Sequence, residues 1–110
     1  MLPDRYRLDL AREFRRFKNS PNVIESPYFR MVYLPTSGDP KFGFVVTGKT
    51  GGAVQRNRAR RLLREAVYHR LDKLTGIEAV FIGRRRLTEA NLEEVLASFD
   101  KTLSKVSLSR

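Results

Sequence analysis

Gly51-Gly52-Ala53-Val54-Gln55-Arg56-Asn57-Arg58-Ala59-Arg60-Arg61-Leu62-Leu63-Arg64-Glu65-Ala66 is the stretch from which the rest of the chain is read. At about 100° per residue, its apolar positions Ala59, Leu62, Leu63 and Ala66, continued by Val67 and Leu74, fall on one side of a helix. Asn57, Arg60, Arg61 and Arg64 gather on roughly the other side. The spacing predicts a helix over Ala53 to Leu74, free of internal Gly or Pro and ended by Gly76. One face is then available to a sheet while guanidiniums and an amide face outward. The preceding glycines let the loop backbone come close to a phosphate, and the helix N-terminus adds partial positive charge there. A plain solvated face usually mixes charges of both signs. Here five arginines stand in nine residues with Glu65 as the compensating carboxylate, a row that repels itself unless an anion lies against it.

Working outward, Asp9 to Lys18 carries Leu10, Phe14 and Phe17 at helical spacing, with Asp9 as N-cap and Ser20-Pro21 as a stop. Tyr28 to Leu34 and Phe42 to Thr47 are aromatic and β-branched, and Pro35 to Pro40 between them predicts a hairpin. Asn22 to Ile24 adds a short strand ahead of it. Ala79 to Gly83 is a continuous apolar run, suited to a strand buried on both faces, and Arg84, Arg85 and Arg86 follow it. Thr88 is placed to cap a last helix bearing Leu92, Val95, Leu96, Phe99 and Leu103. The aromatics Phe14, Phe17, Tyr28, Phe29 and Tyr33 serve either as core, the default for most, or as platforms for bases. Strand alternation keeps Tyr28 and Phe29 from sharing one buried face.

The 110 residues suit one domain, 1–110, with a single modest core. A net charge of +10, from 22 Lys and Arg against 12 Asp and Glu, calls for a polyanion. The excess is mostly arginine, whose planar fork pairs with phosphate oxygens and stacks on bases, so nucleic acid is favoured over a membrane surface. No apolar run is long enough to span a bilayer, and Met1 to Lys18 lacks the apolar middle of a signal peptide. Without cysteine and with one histidine, His69, neither a disulfide framework nor a thiolate or histidine metal site is expected. These features predict a soluble, cytoplasmic protein.

The quoted arginine segment resembles the signature of the bacterial ribonuclease P protein family, with its Arg-Asn-Arg motif followed by further basic residues on one helix. Arg12-Glu13-Phe14 is similar to that family's first helix, Phe42-Gly43-Phe44-Val45-Val46 to the strand feeding its loop, and Ala79 to Arg84 to its last strand. The chain departs from the family in two places. Gly48-Lys49 and Gly52 replace two adjacent lysines and an asparagine, and Phe14 and Phe17 are three apart instead of four. The resemblance implies an α/β two-layer sandwich of αβββαβα order with a left-handed β-α-β crossover through the arginine helix. It implies that a catalytic RNA performs hydrolysis with Mg2+, while the protein itself binds no cofactor and has no catalytic residue. Lys49, Arg56, Asn57, Arg58, Arg60, Arg61 and Arg64 would contact RNA, or metal at the RNA interface. Phe14 and Phe17 would line a cleft for the single-stranded 5′ leader of precursor tRNA. On the apolar face of its helix Phe14 stands either in the core or at the rim of such a cleft, and the rim is the expectation. A structural RNA-binding protein of ribosomal type is the alternative, and a DNA reader would want a compact all-α unit in place of the strands.

Gly43-Phe44-Val45-Val46-Thr47-Gly48-Lys49-Thr50 satisfies the P-loop pattern letter by letter. Its middle residues are strand material and Gly51-Gly52 would interrupt the required helix, so no nucleotide triphosphate is expected. Asp72, Glu78, Glu89, Glu93 and Glu94 are dispersed, where capping and salt bridging account for them, and no paired carboxylates mark a nuclease centre.

Overall fold

In the computed structural model, which describes residues 2–105, the chain runs through α1 (Leu10–Lys18), β1 (Val23–Glu25), β2 (Phe29–Pro35), β3 (Lys41–Val45), α2 (Ala53–His69), β4 (Ile77–Gly83) and α3 (Leu92–Leu103). This is the expected αβββαβα order. Residue 1 and residues 106–110, the ends of the expected 1–110 domain, lie outside the described residues.

The sheet order is β1-β2-β4-β3. The apolar run of β4 takes an inner position, antiparallel to β2 with Met31 opposite Phe81, and parallel to β3 with Phe44 opposite Phe81. Ala79, Val80 and Phe81 are all buried, as a strand covered on both faces requires. The predicted hairpin between β2 and β3 does not form, because β4 lies between them. The two strands have opposite directions, as hairpin arms would, but the segment joining them steps across one intervening strand. Alternating hydrophobicity assigns a strand's faces and says nothing of its neighbour.

Period-2 alternation divides the side chains cleanly. Phe29, Met31, Phe42, Ala79 and Phe81 point to the side covered by α2 and α3, where they meet Ala59, Leu63, Ala66, Val67, Val95 and Phe99. Phe81 and Phe99 stack at 5.4 Å between ring centroids, and Phe29 lies 4.8 Å from Phe99. Val32 and Val80 point to the other side, where Leu8 and Phe17 join them under α1. Gly43 marks a close approach there: a Cβ at that position would fall 2.6 Å from Leu10 Cδ2.

Several boundaries differ from the sequence reading. The long helix ends at His69, and Leu71–Lys73 continues as a 3-10 turn. Its i, i+3 spacing turns Leu71 and Leu74 together toward the core. Thr88 does not cap α3; it lies in the 3-10 segment Arg85–Glu89, and its Oγ1 donates to the Arg85 carbonyl at 2.8 Å. Asn91 is the cap: Glu94 N–H donates to Asn91 Oδ1 at 2.9 Å, and Asn91 N–H donates to Glu94 Oε1 at 3.0 Å. That reciprocal pair satisfies two otherwise unpaired backbone donors, which a threonine three residues earlier could not reach. Asp9 holds the N-cap position of α1 without a side-chain cap bond. Tyr28 precedes β2 and so escapes strand alternation; half-buried, it packs at the margin of the cluster that contains Phe29.

Candidate nucleic-acid interface

Helix α2 buries Ala59, Leu63, Ala66 and Val67 and turns Asn57, Arg61 and Arg64 to solvent, as the wheel predicts; Leu62 and Arg60 are half-buried at its margins. Gly51, at φ 153°, takes a conformation open to glycine and sets the loop for the helix start at Ala53. The P-loop look-alike is strand β3 followed by a turn, with Thr50 N–H donating to the Thr47 carbonyl at 2.9 Å. Lys49 is exposed in that turn.

The arginines do not share one role. Arg60 Nη1 donates to Asn57 Oδ1 at 2.8 Å, which orients both groups on the outer face. Arg61 projects outward without an ion pair among the described residues. Arg64 lies over the Phe44 ring, its Cζ 5.8 Å from the centroid. Arg56 Nη1 donates to the Gly51 carbonyl at 2.9 Å, bracing the loop. Arg58 points toward α3: its Nη1 and Nη2 donate to the carbonyls of Thr88 at 2.9 Å and Ala90 at 2.8 Å. A guanidinium forked onto two backbone oxygens is a strut between α2 and the segment leading into α3.

On the opposite face of the sheet, α1 stands off the strands and leaves a groove of about 190 Å³. Phe14, Phe17, Val23, Val32, Val80 and Ile82 make its apolar surface, and Lys18 and Arg30 bring positive charge to it. Phe17 is buried at 3% exposure, whereas Phe14 is half-buried, the position of a rim residue. Arg16 fixes the standing of α1: it donates to Glu13 Oε1 at 2.6 Å on its own helix and to Glu78 Oε1 at 2.9 Å on β4. The hydrogen bond to Glu78 is the main reason its pKa lies above the ordinary guanidinium value. Lys18 and Arg30 were not anticipated as groove residues. Arg30 had a signal, a charge alternating with the buried Phe29 and Met31; for Lys18 only the docking of α1 reveals it. Arg30 and Arg84 both pair with Glu25, so the basic run after β4 adjoins the same strands.

A mixed sheet backed by an arginine-faced helix and grooved on its other side defines the class of molecule: a basic α/β RNA-binding protein. The chain belongs to the ribonuclease P protein family, whose profile, Ribonuclease P, matches residues 2–107. It is 33% identical over 99 residues to the ribonuclease P protein component of Nitratiruptor sp., covering 90% of each chain. With that of Acidothermus cellulolyticus it is 35% identical over 115 aligned residues, 100% of this chain and 95% of the relative. The RNase P protein from Thermotoga maritima superposes with a TM-score of 0.81 at 25% identity, over 92% of this chain and 97% of that one. RNA binding in the 5′ processing of tRNA is the role of this family and of this chain.

Proposed function

We propose that the chain is the binding subunit of the ribonuclease P ribonucleoprotein, working in the cytoplasm, with hydrolysis carried out by a catalytic RNA. The outer face of α2, through Asn57, Arg60, Arg61 and Arg64, holds that RNA together with Lys49 in the adjoining loop; Arg56 and Arg58 brace the surface that presents them. The groove under α1 holds the single-stranded 5′ leader of precursor tRNA, with Phe14 at its rim and Phe17 in its floor. The Mg2+ of the assembly belongs, in this reading, with its catalytic RNA. No helix among the described residues is long and apolar enough to cross a membrane.

The observation that carries this reading is the separation of two surfaces by one sheet. A row of guanidiniums suits folded RNA through its phosphates, whereas an aromatic, cation-lined groove suits an unpaired strand whose bases stack. Phe14→Ala tests it. Affinity for precursor tRNA is expected to fall by about 1–3 kcal/mol, the usual contribution of one base stacked on an aromatic ring, with the melting temperature little changed. Affinity for the leaderless RNA should be unaffected. Equal weakening toward both RNAs would remove the leader from this groove. The purified chain without RNA is expected to leave precursor tRNA intact, and cleavage at the mature junction by protein alone would overturn the assignment of hydrolysis to RNA.

A further inference from the structure

A second and larger groove, about 810 Å³, lies at the free edge of β3. The segment before α1 docks along that edge: Arg7 bridges to Phe42, and Leu8 N–H donates to the Phe42 carbonyl at 2.9 Å. Between this segment and α2, the half-buried Leu2 and Phe44 offer apolar surface, with the buried Leu8 and Phe42 behind them. Arg60 and Arg64 stand on one bank, and Asp4, Arg7 and Asp9 on the other. Asp4 and Asp9 enter no ion pair among the described residues.

We propose that this groove is a slot for one unpaired nucleotide of the catalytic RNA, its base stacked on Phe44 and its phosphate held by Arg60 and Arg64. The inference rests on the reading of α2 as the surface for that RNA. Phe44 is the platform because one side of its ring is already stacked on Phe81, 5.9 Å away at 15° between planes, which fixes the ring's orientation. The Arg64 guanidinium, a cation on a long flexible stem, also lies over the ring, its Cζ 5.8 Å from the centroid. An entering base replaces that contact with a stack, and the displaced guanidinium stays beside it to meet the phosphate. The two banks also give the slot a direction. A phosphate is attracted to Arg60 and Arg64 and repelled by Asp4 and Asp9, which outweigh the Arg7 between them, so the sugar-phosphate lies toward α2 and the base edge toward the carboxylates. Carboxylates accept from amino and imino N–H groups, so a base presenting such donors is preferred. Continuity selects the RNA: Arg60 and Arg64 belong both to the slot and to the outer face of α2, so whatever RNA covers that helix also supplies the nucleotide. A volume within the range of about 300–1,000 Å³ typical of ligand sites leaves room for it.

The test uses the holoenzyme reconstituted from the full chain and its catalytic RNA. Base-specific chemical probing reads stacking, and hydroxyl-radical footprinting reads the backbone contacts of α2. The natural chain is expected to protect at least one unpaired base. Phe44→Leu, which keeps an apolar side chain but removes the ring, should restore that base's reactivity and weaken binding about tenfold, the scale of a lost base stack. The backbone footprint should persist. Asp4→Asn, at an exposed position on the carboxylate bank, gives an independent readout should Phe44→Leu disturb folding, and is expected to loosen the same base while the backbone footprint of α2 persists. Base reactivities and affinities unchanged in both variants would overturn the slot while leaving the reading of α2 intact. Absence of any α2 footprint with the natural chain would overturn both.

Discussion

On the side of the sheet carrying Phe29, Met31, Phe42 and Phe81, two helices close over the strands and bury an aromatic cluster. On the side carrying Val32, Val80 and Ile82, one nine-residue helix rests on Phe17 and the Arg16 clamp and leaves a groove beside it. The same strands supply both faces, residue by alternate residue. Stability is therefore concentrated on one side, where large rings interlock, and the opposite side keeps apolar surface accessible. A molecule of this size has little core to spare, and the division lets it retain a binding groove without opening its main cluster.

The largest expected effect probes that division directly. Phe81 is fully buried among Phe29, Phe42, Phe44 and Phe99, so Phe81→Ala should lower unfolding free energy by about 3–5 kcal/mol. Phe14→Ala on the other face should change stability far less. Urea denaturation of both proteins makes the comparison, and equal losses would show that the α1 side is as much core as the α2–α3 side.

A smaller effect separates two arginines three residues apart on one helix. Arg58→Ala removes a guanidinium from the Thr88 and Ala90 carbonyls and should lower stability by about 1 kcal/mol, the scale of a partly solvated hydrogen-bonded strut. It should leave the salt dependence of RNA binding nearly unchanged. Arg61→Ala should do the reverse: unaltered stability, and a slope of log affinity against log salt flatter by about 0.7–0.9, one phosphate contact's worth. A flattened slope for Arg58→Ala with normal stability would return that residue to the RNA surface.

The sequence motif alone could not distinguish those two arginines. Helical periodicity assigns Arg61 outward because its face depends on local spacing, whereas the partners of Arg58 are backbone atoms 30 and 32 residues away. The same distinction runs through the fold. Ala79, Val80 and Phe81 announced a strand covered on both faces, and the buried side of α2 was legible from the spacing of Ala59, Leu63 and Ala66. Strand neighbours were not, since nothing local in Tyr28 to Thr47 records that a strand from beyond residue 75 will enter between β2 and β3. The α3 cap is legible: Asn91 with Glu94 three residues later is the reciprocal pair itself, whereas Thr88 has a capping residue type without that partner. For the candidate site, the arginine face was readable and the groove was not, because its walls depend on where α1 docks.

The smallest expected effect concerns how α3 is fastened to α2 on the closed side. Arg70, just past the end of α2, donates Nε to Asp100 Oδ1 at 2.7 Å and Nη2 to Oδ2 at 3.1 Å. That forked hydrogen bond holds the Asp100 carboxyl below its ordinary pKa, with Arg70 and Lys73 adding charge attraction. A depressed carboxylate pKa means the folded state favours the ionised form, so the contribution is fully present above about pH 4, the unfolded value. It is lost as pH falls through the lower folded value. Asp100 is substantially exposed, so water and salt screen the pair and its effect stays well below that of Phe81. The melting-temperature gap between the natural chain and Asp100→Asn should therefore be steady from neutral pH to about pH 4, close on further acidification, and narrow in high salt. A gap that widens on acidification would mean the carboxyl is better accommodated protonated, and the closed side would then rely on its aromatic cluster without this tie.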